Sequence, residues 1–180
     1  MLDNLERIID FKQGENRQQA ACLYKNEGSI GWEQLNGGEL TYKNFLNMSV
    51  LVDVLSEFYD VFATVMAKVG LPCAVALGKT LVDSYAKAVD SNPIGAIGSC
   101  IGFSKIVDDR TAKKIIQSQF EVVLACGYDK EALEILKKNE NLKVIKINTP
   151  FDEVRISVSQ ELKITPFGVL EQDADRADFN

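Results

Sequence analysis

The chain has 180 residues, 46% of them hydrophobic and 26% charged, enough for one compact domain with a core of ordinary soluble character. A net charge of −6 argues against a surface that neutralises nucleic-acid phosphates, although a small phosphorylated ligand needs only one local positive site. The acidic start (MLDNLER) does not read as a signal peptide. The longest apolar run, Leu71 to Leu77, is too short to span a membrane, so a cytoplasmic protein is expected.

In chain order, Gln19 to Lys25 reads as a strand, and Gly28, Gly31, Gly37 and Gly38 mark turns around Trp32 to Leu35. A helix follows over about Tyr42 to Phe58, with Phe45, Met48, Val52, Leu55 and Tyr59 at helical spacing on one face. Val61 to Ala67 reads as a buried strand. Because of Pro72, residues 68–78 read as a loop plus a short strand. Thr80 and Asp83 resemble a capping box. The helix they open carries Leu81, Val82, Tyr85 and Val89 and stops before Asn92 and Pro93.

Ser99 to Phe103 predicts another buried strand, and Asp108 or Asp109 caps a helix through Ile116. Glu121 to Ala125 is a strand, Asp129 opens a helix through Lys138, and Leu142 to Ile147 is a further strand. Arg155 to Val158 and Gly168 to Leu170 read as antiparallel edge strands. Strand and helix alternate through most of the chain. This predicts an α/β fold with helices on both faces of a mixed sheet, formed by one domain over residues 1–170. An acidic tail follows over 171–180.

Four cysteines at 22, 73, 100 and 126 lie in apolar stretches without metal-ligand spacing, and the chain has no histidine. They read as buried, reduced thiols, and no metal site is expected.

Four places could carry chemistry. Gly14 in the polar turn Gln13 to Arg17 allows close backbone approach to a ligand, and Glu15 or Asn16 could meet a hydroxyl or amide; a surface turn is the plainer reading of this segment alone. Lys68 ends a buried strand, where a lysine can hold a phosphate or oxyanion, transfer a proton, or simply reach solvent. Gly95 and Gly98 precede a strand and could turn backbone N–H groups toward a ligand, or serve tight packing. Glu121 opens a strand and could accept hydrogen bonds from a ligand amine, or end the strand in solvent.

The order of these segments resembles a known family, the transformylase region of the bifunctional purine enzyme that also carries inosinate cyclohydrolase. That region typically reads L-R-Y-G-E-N-P-H-Q, G-x-x-L-S-Y-N-N, K-H-x-N-P-C-G-V-A and D-P-x-S-A-F-G-G, followed by a strand with an acidic residue. Here the counterparts are Phe11 to Gln19, Gly38 to Asn44, Lys68 to Ala76, Asn92 to Ser99, and Glu121 to Ala125. The resemblance implies a cytidine-deaminase-like three-layer α/β/α fold. It also implies transfer of a formyl group from 10-formyltetrahydrofolate to aminoimidazole carboxamide ribonucleotide (AICAR), in purine biosynthesis. By the same resemblance Lys68 matches a catalytic lysine. Gly98 and Glu121 match nucleotide-contacting positions. Lys12, Gln13, Gly14, Glu15 and Asn16 match the first nucleotide loop. A homodimer is a further expectation of the resemblance.

The departures carry weight too. Lys12 and Gln13 replace an arginine and a tyrosine, and lysine lacks the bidentate fork that arginine offers a phosphate. Arg17 and Gln18 replace a proline–histidine pair, and Leu71, Ala74 and Ser99 replace asparagine and two glycines. Val69 stands where the family places its proton-transferring histidine, and valine carries no proton at any pH. The chain matches only the first of the two related subdomains. The folate-binding segments of the second are not visible, nor is a cyclohydrolase domain. Two readings follow: a nucleotide-binding half that needs a second-half subunit for folate, or a non-catalytic relative with a binding or regulatory role.

Overall fold

The computed structural model describes residues 5–25, 29–154 and 160–173. Ten strands and six helices are seen among them. In order they are β1 (Glu6–Phe11), β2 (Ala21–Lys25), β3 (Trp32–Asn36), α1 (Tyr42–Glu57), β4 (Phe62–Lys68), β5 (Leu71–Gly78), α2 (Leu81–Ser91) and α3 (Pro93–Ala96). Then come β6 (Cys100–Phe103), α4 (Asp109–Ile115), β7 (Val122–Ala125), α5 (Lys130–Leu136), β8 (Lys143–Ile147), α6 (Phe151–Val154), β9 (Gln160–Thr165) and β10 (Gly168–Asp173).

Six strands form the central sheet in the order β3-β8-β7-β6-β4-β5. β6, β7 and β8 run parallel, while β3 and the β4–β5 pair lie antiparallel at the two margins. The two faces follow from the period of two along each strand. Ala63, Val65, Ala67, Cys100, Val122, Leu124, Ile145 and Ile147 join one core with Met48, Leu51, Val52 and Leu55 of α1 and Phe151 of α6. Met66, Ile101, Phe103, Val123, Ala125 and Val144 join the other with Leu81 and Tyr85 of α2, Ala112 and Ile115 of α4, and Ala132 and Leu136 of α5. This is the expected three-layer α/β/α arrangement around a mixed sheet.

α1 starts where Thr41 and Asn44 cap each other's backbone N–H in a capping box. Its Leu51 and Leu55 lie against Gly102, where an added Cβ would stand 2.8 Å from Leu55 Cδ1, so the glycine lets helix and sheet approach. Thr80 caps α2 as expected, but Asp83 accepts from Lys79 N rather than from Thr80.

Several expectations change. β1 was not visible in the sequence, and Trp32 to Asn36, read as lying among turns, is an edge strand of the sheet, antiparallel to β8. The 68–78 loop is in fact the eight-residue β5, hairpinned to β4 through Val69 and Gly70. Pro72 is tolerated because β5 is an edge strand and because the pairing slips at Met66/Ala67, next to the proline.

Gly168 to Leu170 belongs to a separate β9–β10 hairpin rather than to an edge of the central sheet, and β10 runs three residues into the acidic tail, to Asp173. The strand read over Arg155 to Val158 and the rest of the tail, 174–180, lie outside the described residues. All four cysteines are free thiols, yet only Cys100 is fully buried; Cys22, Cys73 and Cys126 are half-buried, because they sit on less covered strands or strand ends.

Candidate functional site

Three chain segments meet at one end of the central sheet: the carboxyl end of β4, the turns that open β6 and β7, and the first turns of α1. Lys68 closes β4, and its Nζ donates to Ile97 O at 2.7 Å. Gly98 N donates to Gln119 O at 2.7 Å, and Glu121 N to Ser99 O at 2.9 Å. Backbone hydrogen bonds thereby lace Lys68, Gly98 and Glu121 into one cluster. Lys68 has one of its three donors engaged and its side chain exposed, which leaves donors for a ligand.

The parallel strands β6, β7 and β8 present their amino ends here; only β4, which runs the other way, brings its carboxyl end. The expectation that a ligand would gather at carboxyl strand ends therefore holds for Lys68 alone. The carboxyl ends of the parallel strands border a different cavity, of about 400 Å³, lined among others by Tyr59, Lys105, Cys126, Lys146 and Asn148. None of the residues singled out in the sequence lines it.

Val69 and Gly70 turn β4 into β5, with φ of 56° and 70°, the positive values that a two-residue type I′ hairpin requires. Such a φ is common for glycine but a strain for a β-branched residue. Val69 is 73% exposed, so no burial offsets that strain. The turn is held from below: Asn47 of α1, 5% exposed, accepts from Gly70 N at 2.8 Å and reaches Cys100 Sγ with its Nδ2. Gly98 has φ of 70° with nothing within 4 Å of a built Cβ, so backbone conformation alone calls for glycine there.

Glu121 is paired with Lys143, which opens β8, at 3.0 Å from Nζ to Oε1. Burial would raise the Glu121 carboxyl, but Asn44, Lys143 and the charge of Lys43 together hold it below the ordinary glutamate value. Asn44 Oδ1 is fixed by Thr41 N, so its buried Nδ2 faces Glu121 and Cys100 without a well-formed hydrogen bond. Burial pushes the Cys100 thiol up to about 12, so it stays protonated near neutral pH and is no nucleophile.

The first loop is built differently. Gly14 N donates to Gln19 O at 2.8 Å, and Asn16 N to Gln19 Oε1 at 2.9 Å. Gln13, Glu15 and Asn16 are exposed around a buried Gly14. Phe11 ties the loop to α1 through Tyr42 and Phe45, and Lys12 pairs with Glu39 at 2.7 Å. This places the loop beside the start of α1. No contact joins it to Lys68, Gly98 or Glu121 among the described residues.

One further expectation needs correction: the N–H groups of Gly95 and Gly98 do not face a ligand, because Asn92 Oδ1 and Gln119 O engage them. Asn47 and Lys143 escaped the sequence reading. Lys143 looked like the polar phase of a strand, and only the parallel pairing of Val122 with Lys143 sets it beside Glu121.

Fold and site thus define a three-layer α/β/α domain with a charged, donor-rich cluster at one end of a mixed sheet. The family model of the AICARFT/IMPCHase bienzyme matches residues 2–180, and the chain belongs to this family. It is 32% identical over 179 residues to the bifunctional purine biosynthesis protein PurH of Thermoanaerobacter sp. (strain X514), covering 97% of this chain and 34% of that protein. The PurH of Petrotoga mobilis is 33% identical over 180 residues, with 97% and 34% covered. The PurH of Clostridium beijerinckii is 37% identical over 150 residues, with 81% and 30% covered. The chain therefore spans about a third of the length of these curated relatives.

Proposed function

We propose that the chain supplies the nucleotide-binding part of an AICAR transformylase of purine biosynthesis. The observation that carries this reading is the convergence of Lys68, Gly98 and Glu121, far apart in sequence, into one hydrogen-bonded cluster in a chain of this family. In this reading Lys68 holds an anionic oxygen of AICAR or of the reacting formyl group, and Glu121 and Asn44 contact polar atoms of the nucleotide. Gly14, Glu15 and Asn16, with Lys12 and Gln13, approach it from the first loop. The formyl donor is 10-formyltetrahydrofolate, bound by segments outside these 180 residues, on a second-half subunit or across a homodimer. The setting is cytoplasmic and the fold belongs with the cytidine-deaminase-like group.

Valine at 69 favours a second reading, in which the domain binds nucleotide without catalysing transfer. Loss of a general acid–base group costs about 10²- to 10⁴-fold in rate. Lys68 remains to stabilise charge, but no side chain beside it transfers protons near neutral pH, given the protonated Cys100.

Calorimetric titration with AICAR tests the site. Binding in roughly the micromolar range, weakened about tenfold by Lys68→Ala, is the expected result. Absence of binding at millimolar AICAR overturns the nucleotide reading, and unchanged affinity in the variant overturns the role of Lys68. Adding 10-formyltetrahydrofolate and a full-length relative's second half to the wild-type chain then separates the two readings by formyl transfer.

A further inference from the structure

This inference rests on the nucleotide reading above and concerns which chemical group the subsite around Glu121 accepts. The single acceptor there is already matched. Lys143 Nζ lies 3.0 Å from Glu121 Oε1, with the lysine side chain only 12% exposed and the glutamate 38%. Asn44 Nδ2 is buried and lacks a hydrogen-bond acceptor, and its amide cannot turn over without losing the bond from Thr41 N to Oδ1. Lys43, one residue away on α1, adds a second positive charge acting on the same carboxylate. Lys68 adds a third at the neighbouring strand end. Counting ionisable side chains, the subsite sets three lysines against one glutamate and leaves a buried donor unanswered.

A buried donor without a partner is costly, and a ligand acceptor placed against it removes that cost. A ligand amide would bring two more N–H donors to a carboxylate already engaged by Lys143. A ligand carboxylate would bring acceptors to Asn44 and charge complementary to the lysines. We propose that Lys143 is a specificity-determining residue that turns this subsite toward an anionic, acceptor-rich substituent on the nucleotide, a carboxylate in preference to a carboxamide.

The test is a pair of calorimetric titrations, with aminoimidazole carboxamide ribonucleotide and with its carboxylate counterpart, on wild type, Lys143→Met and Glu121→Gln. The ratio of the two affinities on one protein sample is insensitive to any loss of folded fraction. Wild type is expected to favour the carboxylate about tenfold, one charge-assisted contact. Lys143→Met should abolish or invert that preference, and Glu121→Gln should keep or enlarge it. A wild-type preference for the carboxamide, or a ratio unmoved within about twofold by Lys143→Met, overturns the proposal while leaving the nucleotide site intact. Failure of both nucleotides to bind any of the three proteins overturns the nucleotide site itself, and the specificity proposal with it.

Discussion

The first loop and the sheet-end cluster are both marked by the sequence as ligand-binding, yet they are built on different footings. In the loop, Lys12 and Glu39 form an ion pair with side chains 85% and 80% exposed, and Gln13, Glu15 and Asn16 face solvent. In the cluster, Asn47 is 5% exposed beneath the Val69–Gly70 turn, Lys143 is 12% exposed against Glu121, and Asn44 is fully buried. Buried, mutually satisfied groups hold a geometry before a ligand arrives, whereas exposed pairs are screened and exchange with water. The cluster is therefore the preorganised half of the site, and the loop adapts to whatever the cluster holds.

That contrast can be broken from the cluster side first. Asn47→Ala removes the acceptor of Gly70 N and should destabilise the domain by about 1–3 kcal/mol in urea unfolding. The Gly70 amide should also become quick to exchange. A change near zero would mean that the turn holds itself. Gly98→Val places a β-branched residue at φ of 70° in open space, with an expected loss of about 1–2 kcal/mol from backbone strain alone. The converse substitution, Val69→Asn, recreates the asparagine–glycine pair that type I′ turns prefer and should stabilise by about 1 kcal/mol. Opposite signs for these two variants in the same thermal melt would show that the strain at Val69 is real.

Acid sharpens the comparison. The Glu121 carboxyl is held below its ordinary value of 4.5, so the stability it contributes is fully present above that pH and is lost as pH falls through its lowered folded value. Glu121→Gln should flatten the acid side of the stability profile below pH 4.5, measured by urea midpoints. An unchanged acid limb would argue that the Lys143 pair adds nothing. The smallest effect is expected at the loop: Lys12→Ala should leave the urea midpoint unmoved, because both partners of its ion pair are exposed. A clear shift would place the loop among the preorganised parts after all.

Where the sequence was legible, the signal was local. The capping box at Thr41, the caps at Thr80 and Asp108, and Pro93 after Asn92 each set a helix boundary within one or two residues, because caps are short-range hydrogen bonds. β4, β6, β7 and β8 were legible as short apolar runs. β5 was hidden because Val69 stands where asparagine would announce the turn, and Pro72 argued against a strand whose edge position no local pattern reveals. β1 and β3 were missed because their alternation is weak and their partners are remote or bulged.

The sequence by itself determined the alternation of elements, the two apolar faces of the sheet, the family, and the absence of any histidine to move protons beside Lys68. Each of these is carried by residue identity or by spacing within one element. Tertiary structure alone decided that Lys68, Gly98 and Glu121 share one sheet end, that amino rather than carboxyl ends of the parallel strands meet there, and that Lys143 neutralises Glu121 while Asn44 is left with a buried donor. Those facts depend on strand order and register across long loops. Nothing local encodes them, since each pairing forms only once the strands from distant parts of the chain lie side by side.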